Sequence, residues 1–176
     1  MKLKRRTCLL VSSAMLWGFS SLACSLARAK DTQEDLSGLV LAPVRVIGSR
    51  ISDWIDALGQ PMEFDAVPNG FNRHTREPTV LVTLRYEGSA ATFLLNTARE
   101  ESMLVDFQTS NEAVAHQIGL RVSFKDPATL SQLGEPETQT ETTRTYEVCG
   151  DATCTRLMID IDGEFISGVR WERELD

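Results

Sequence analysis

The chain has 176 residues, with 18 basic and 25 acidic side chains and a formal charge of −7 at pH 7. This length is sufficient for one compact domain, or for two small units that share a core. The acidic charge argues against nucleic acids and anionic membrane surfaces as partners, because both bind basic patches, and it favours a protein with a basic face. The alternative interpretation of the charge is solubility alone.

The N-terminal residues predict an export signal. Four basic residues within positions 2–6 precede an apolar run from Cys8 to Ala23, and Ala27-Arg28-Ala29 provides a small-x-small cleavage site. We therefore expect residues 1–29 to be a signal peptide, so that the mature protein begins at Lys30. The mature chain keeps 13 of the 18 basic residues and all 25 acidic ones, which gives a formal charge of −12.

A second processing route is open, because Ser21-Leu22-Ala23-Cys24 resembles a lipobox. Cys24 would then be lipidated and anchor the protein at the outer membrane, although Leu22 lies one position too close to the cysteine. Both routes predict a periplasmic, secreted or outer-membrane location. No other stretch is long and apolar enough to cross a bilayer, so we expect no transmembrane span in the mature chain.

Short helices are predicted after an N-terminal segment formed by residues 30–47. Within that segment, residues 39–47 have the composition of a strand, and Pro43 confines such a strand to a sheet edge. Apolar spacing and glycine stops then predict the helices. They are residues 49–58, 110–118 and 126–133.

Alternating apolar and polar residues predict strands after the first and third helices. These strands are residues 79–86, 90–95, 102–107, 145–148, 155–161 and 165–171. We therefore predict an α+β fold in which short helices pack on an antiparallel sheet.

Cys149 and Cys154 flank a turn of four residues between two predicted strands. In an oxidising compartment this arrangement predicts a disulfide across a hairpin. A redox site would more often have two intervening residues, and the histidines, His74 and His116, are solitary. We therefore predict neither a metal site nor a cofactor.

One small unit of the chain occurs twice, at an offset of 75 residues. Leu58-Gly59-Gln60-Pro61 recurs as Leu133-Gly134-Glu135-Pro136, and Glu87-Gly88 recurs as Asp162-Gly163. A shared register without a gap is hard to obtain by chance. We therefore expect two similar units, residues 48–109 and 110–176, in which the helix and hairpin of each copy superpose.

Each copy resembles the small unit shared by the SmpA/OmlA envelope lipoproteins and the β-lactamase inhibitor protein. The resemblance covers residues 48–95 and 123–171 and is a pattern of a glycine, an apolar helix position, Leu-Gly-x-Pro and a following acid. A tandem pair looks more like the inhibitor than the single-unit assembly proteins, which implies binding to another protein. The residues that carry it are Gly48, Trp54, the Leu-Gly-x-Pro motifs at 58–61 and 133–136, Asp65, Tyr146 and the hairpin at Asp162-Gly163.

Catalytic constellations are not recognisable in the sequence. Leu94-Leu95-Asn96-Thr97-Ala98 resembles the strand and Asp-Thr-Gly turn of retroviral-type aspartic proteases. Asn96 cannot supply the ionisable carboxylate, and Ala98 replaces the glycine. We therefore expect that the protein is not an enzyme, and a degenerate protease-like protein is only a third alternative.

Aromatic and arginine side chains are enriched among interface hot spots, and they identify the candidate contact residues. Residues 69–76 predict a loop, and Tyr86, Phe107 and Trp171 lie on predicted strands that could floor a binding surface. Two alternatives remain open, namely that Phe71 packs in the core and that the strand aromatics do. The candidate partner-binding residues are Phe71, Arg73, His74, Arg76, Tyr86 and Trp171.

We therefore expect an exported bacterial protein that binds another protein through its sheet, in an inhibitor or immunity-type role. The alternative is an outer-membrane envelope-assembly factor, which would require lipidation of Cys24.

Overall fold

The computed structural model describes residues 37–150 and 153–174, which belong to one compact unit. The predicted signal peptide, the cleavage site and Cys24 lie outside the described residues. Within the described part of the chain, no helix is long and apolar enough to cross a membrane.

The fold is α+β and is dominated by one antiparallel sheet of eight strands. The strands are β1 Glu63–Phe71, β2 Pro78–Tyr86, β3 Ser89–Asn96, β4 Glu101–Thr109, β5 Thr138–Gln139, β6 Thr143–Cys149, β7 Cys154–Asp162 and β8 Phe165–Arg173. Their spatial order is β1-β2-β3-β4-β8-β7-β6-β5. Two up-and-down halves therefore meet where β4 pairs with β8, with Phe107 opposite Trp171.

All six predicted strands are confirmed, whereas β1 and β5 were not predicted. The sequence predicts a loop at residues 69–76, and its first three residues lie in β1 instead. The structure accommodates them with a β-bulge between Pro68 and Gly70 in an edge strand. Every residue of β1 is exposed, so the strand lacks the buried alternation by which a strand is recognised.

Four short helices accompany the sheet. They are α1 Ala42–Val46, α2 Ile51–Leu58, α3 Glu112–Gln117 and α4 Ala128–Gln132, and residues 37–40 are also helical. The three predicted helices are confirmed. The strand predicted at residues 39–47 is wrong: Pro43 lies in the first turn of α1, where a missing N–H costs no helical hydrogen bond. Val40 and Ala42 are buried against the sheet, so packing decides the conformation of this apolar segment.

The helices and one face of the sheet enclose a single core around Trp54. Its ring centroid lies 5.1 Å from that of Phe107 and 5.9 Å from that of Phe93. The indole N–H of Trp54 donates to the Gly48 carbonyl at 3.0 Å, which satisfies its one polar atom. Gly48 itself has a φ of +120°, and a Cβ there would collide with the Asp53 side chain. Gly48 and Trp54 are therefore used together at the start of α2.

The repeat is supported in its apolar phase and differs in its turns. Val82 and Leu84 are buried in the same core as Leu157 and Ile159, which lie 75 residues further on. However, Gly88 is the second residue of its hairpin turn and the equivalent glycine is the first. The pairing of β7 continues one residue further than that of β2, because Asp162 pairs with Phe165 whereas the first hairpin closes at Tyr86 and Ser89. Since the described residues form one compact unit, the division into two units is not confirmed, and the superposition of the two copies stays a prediction.

The predicted disulfide between Cys149 and Cys154 is confirmed. The two residues are cross-strand partners at the end of the β6–β7 hairpin, with Cα atoms 4.0 Å apart. The disulfide joins residues that are five positions apart. It lowers the conformational entropy of the unfolded chain and thereby stabilises the fold by about 2 kcal/mol. The bond therefore pins the hairpin and does not join distant parts of the fold.

We expect the Cys149→Ser, Cys154→Ser double variant to keep the fold and to lose about 2 kcal/mol of unfolding free energy, because only a short loop is released. Urea unfolding followed by circular dichroism measures the loss. Reduction of the native protein should give the same change, and a loss of cooperative unfolding in either sample would contradict this role.

Candidate partner-binding surface

One face of the sheet has no helix packed against it in residues 37–150 and 153–174, and we call it the open face. Strand side chains alternate between faces, so the neighbours of buried core residues point to the open face. On β2, for example, Val82 and Leu84 are buried while Leu81 and Thr83 are partly exposed. The open face includes Leu81, Thr83, Thr92, Leu94, Met103, Asp106, Thr145, Glu147, Arg156, Met158, Asp160, Arg170 and Glu172.

Apolar side chains occupy the first half of the open face. Leu94 and Met103 are direct cross-strand partners on β3 and β4. Neither they nor Leu81 belong to the hydrophobic core, although each is partly shielded by its neighbours. A cleft lined by Leu94 and Met103 extends to the loop after β1. This part of the face therefore combines apolar area with a concave outline.

Paired charges occupy the second half of the open face. Arg170 donates two hydrogen bonds to Asp160, at 2.7 and 3.0 Å, and Arg156 donates to Glu147 at 2.7 Å. These hydrogen bonds raise the pKa of both arginines, which remain charged at all ordinary pH values. Fixed guanidinium groups of this kind present oriented charge to solvent.

Asp106 lies at the seam between the two halves, directly opposite Glu172. Burial, together with the nearby Glu172 carboxylate, raises the pKa of Asp106 to about 6, although Arg170 acts in the opposite direction. Neither carboxylate has an ion-pair or hydrogen-bond partner within the described residues, whereas Arg170 and Arg156 are bound to other acids. The carboxylates of Asp106 and Glu172 at the seam are therefore not fully neutralised by neighbouring positive charges.

The loop that follows β1 carries four predicted contact residues. Phe71 is 71% exposed, so the alternative that it packs in the core is wrong. The side chain of Asn72 accepts hydrogen bonds from the backbone N–H groups of His74 and Thr75, at 2.9 and 3.0 Å, and these bonds shape the loop. Phe71, Arg73 and His74 line the cleft that reaches Leu94, and Arg76 does not line it. Their role as partner contacts stays a prediction.

The aromatic residues predicted on strands face the other way. Trp171 has no exposed surface and donates its indole N–H to the Val40 carbonyl at 2.7 Å. Phe107 is equally buried, and Tyr86 is half-buried against the core. The structure therefore removes Trp171 from the candidate contact residues and gives Tyr86 little access to a partner. Core packing of these three residues was the alternative left open by the sequence.

Leu94, Met103 and Asp106 were not recognised as surface residues from the sequence. The available signal was the presence of apolar residues at both alternating positions of β2 and β3, since only one of the two sets can face the core. A pattern of this kind indicates that the second face is covered or is used in binding. It does not show which of the two sets is buried.

Asn96 has a structural role in the turn between β3 and β4. Its side-chain N–H donates to Glu77 at 2.6 Å, and its side-chain oxygen accepts from the backbone N–H groups of Ala98 and Arg99. The residues that resemble a protease turn therefore hold two loops together. On β6 and β7, Glu147 lies close to Cys149 and Cys154, but the disulfide occupies both sulfur atoms.

Comparison with protein-family models, with curated protein sequences and with solved structures found no significant match to this chain. The resemblance to the SmpA/OmlA unit therefore stays a prediction from the sequence.

We expect Phe71→Ala to change the unfolding free energy by no more than about 0.5 kcal/mol, because an exposed side chain contributes little packing. The matched control Phe107→Ala should lose about 3–5 kcal/mol, because it opens a cavity beside Trp54. Chemical denaturation of both variants measures the difference. A large loss for Phe71→Ala would mean that the loop supports the fold.

Asp106 should make stability depend on pH in a defined window. Its folded pKa of about 6 lies above the ordinary value of 3.8, so the folded state holds the proton more tightly. The unfolding free energy therefore falls as pH rises from about 4 to about 6, and the loss is complete above this range.

We expect Asp106→Asn to remove this dependence and to be more stable than the native protein at pH 7.5, by an amount on the order of 1 kcal/mol after solvent screening. At pH 3.5 the two proteins should be equally stable. Asp56→Asn, an exposed change on α2, controls for the loss of one charge. If Asp106→Asn followed that control at both pH values, the seam would carry no strained carboxylate.

Proposed function

We propose that this chain is an exported protein-binding module that holds another protein on its open face. An inhibitor or immunity-type role is the version that we favour. The observation that carries the proposal is a sheet covered by helices on one face and lined by Leu81, Leu94 and Met103 on the other. Apolar area left outside the core of a small protein is typical of interaction sites.

The composition of the open face supports a protein as the partner. Protein interfaces combine an apolar centre with a polar rim, and methionine and arginine are enriched in them. Met103 and Met158 supply flexible apolar contacts, and Arg156 and Arg170 supply oriented donors. All of these side chains project from rigid strands. Binding would therefore immobilise few additional groups, and its entropic cost would be small.

The charges of the open face favour a partner that presents a basic side chain at the seam. A lysine or arginine placed against Asp106 and Glu172 would stabilise the charged form of Asp106, whose pKa is raised in the free protein. The formal charge of −12 expected for the mature chain acts in the same direction by accelerating encounter with a basic face.

The alternative function is envelope assembly at the outer membrane. The lipobox-like residues 21–24 favour it, and they lie outside the described residues. This function would use the same open face for a different partner, so the surface and the role are separate questions.

A photo-crosslinking amino acid at position 94, introduced into the protein in its native cells, tests the surface. We expect an adduct with another protein from position 94 and none from the control position 56, which is exposed on α2. Excess unlabelled native protein should suppress the adduct, and excess Met103→Lys protein should not. Adducts from position 56 alone, or from neither position, would overturn the proposal.

A further inference from the structure

The two edges of the sheet differ in length and in exposure. The edge strand β5 has only two residues, Thr138 and Gln139, which is a common way to blunt a sheet edge. The opposite edge, β1, has nine residues, and all of them are exposed. It carries Phe64, Val67 and Phe71 with 62%, 53% and 71% of their surface accessible. A long edge strand with large exposed apolar residues invites pairing with another strand.

The bulge in β1 places its two phenylalanines on the same face. Phe64 is the cross-strand partner of Leu84, and Phe71 is the partner of Pro78. Leu84 and Pro78 are separated by six positions in β2, so their side chains point to one face. Without the bulge between Pro68 and Gly70, the seven-residue separation of the phenylalanines would put them on opposite faces. One apolar side chain therefore stands near each end of the edge.

We propose that β1 pairs in antiparallel orientation with β1 of a second copy of this chain, about a two-fold axis near its centre. The start of each strand then lies beside the end of the other, so Phe64 of one copy meets Phe71 of its partner. Two equivalent aromatic contacts form, as a self-complementary dimer interface requires. Aromatic cross-strand pairs are among the most stabilising pairs in antiparallel sheets.

The charges along β1 are complementary in the same arrangement. Asp65 and Glu63 stand at the start of the strand, where Glu63 also lies 3.8 Å from Arg85 of its own chain, and Arg73 and Arg76 lie in the loop after the end of the strand. Antiparallel pairing brings the acidic start of one copy to the basic loop of the other, at both ends of the interface. Opposite charges that meet twice favour this partner and this orientation.

Electrostatic repulsion disfavours pairings that involve only the first part of β1. Pairing confined to residues 63–67 would set Asp65 against itself or against Glu63, and like charges directly opposite each other are destabilising. Pro68 has no backbone N–H, and the bulge beside it interrupts the ladder at the centre. The contact is therefore concentrated at the two ends, where the phenylalanines and the charges lie.

This inference rests on the edge strand and not on the proposed function, although Phe71 and Arg73 take part both in the dimer contact and in the cleft of the open face. The dimer uses the outer edge of β1 and leaves Leu94 and Met103 on the open face. An extended segment of a different protein is the competing occupant of the edge. Self-association of the purified protein distinguishes a second copy from such a segment.

Sedimentation equilibrium of the purified protein measures self-association. We expect a reversible dimer and at least tenfold weaker association for Phe64→Lys, because a lysine replaces the aromatic contact at both ends. Phe165→Lys is the matched control, since Phe165 is 48% exposed at the β7–β8 turn, and it should associate as the native protein does. Circular dichroism of each variant checks that the fold is retained.

A charge exchange tests the orientation. Glu63→Arg and Arg73→Glu should each associate at least tenfold more weakly, because like charges then meet at both ends. An equimolar mixture of the two variants should form a heterodimer of near-native affinity, since opposite charges face each other again at both ends. Glu164→Arg, an exposed change in the β7–β8 turn, controls for net charge.

A native protein that remains monomeric up to about 1 mM, where the association free energy would be weaker than about −4 kcal/mol, would overturn the proposal. So would a mixture that associates no better than its components. A monomeric native protein that binds a different protein through Phe64 would assign the edge to that protein instead.

Discussion

The arrangement of the molecule depends on which face of the sheet buries its side chains, and two tryptophans decide this. Trp54 packs from α2 onto Phe93 and Phe107, and Trp171 packs from β8. Each indole N–H donates to a backbone carbonyl outside the sheet, Gly48 for the first and Val40 for the second. Because a buried donor needs a partner, these two bonds tie the N-terminal helical segments to the same face.

The open face follows from this choice by alternation alone. With Phe107 and Trp171 directed into the core, their strand neighbours Asp106, Arg170 and Glu172 must point outward. Asp106 is kept there even though its raised pKa shows that the folded protein disfavours its charge. A residue that lowers stability at neutral pH in this way is consistent with the proposal that the open face is an interaction surface.

The sequence predicted the elements well where a single local signal dominated. The spacing of apolar residues located α2. The alternation of apolar and polar residues along the chain located the six strands that have a buried face. The disulfide also followed from local spacing and compartment. Residues 39–47 were misassigned because an apolar run has the same composition whether it is a strand or a helix packed on a sheet, and Pro43 is compatible with both. The deciding contact, between Trp171 and Val40, joins residues that are far apart in the chain.

The candidate site was predicted less well, for a different reason. The loop residues Phe71 and Arg73 are exposed, whereas the sequence left core packing of Phe71 open as an alternative. For the strand aromatics both surface and core positions remain open from the sequence, because alternation defines two faces without saying which one the helices will cover. β1 escaped prediction altogether, since an edge strand without a buried face has no alternation to detect. Sequence patterns indicate which residues are buried. Surfaces that bind partners are exposed, so these patterns do not identify them.

The unequal edges of the sheet set a limit on assembly. If β1 of one copy pairs with β1 of another, the two sheets become continuous, and within the described residues the outermost strands that remain are the two β5 strands. Each of these has two residues and offers few backbone groups for pairing. Association through the long edge therefore stops at two copies, because the isologous contact uses the same strand of both partners. The short β5 strand thus limits strand pairing at one edge of the sheet, whereas the opposite edge, β1, is long, apolar and exposed.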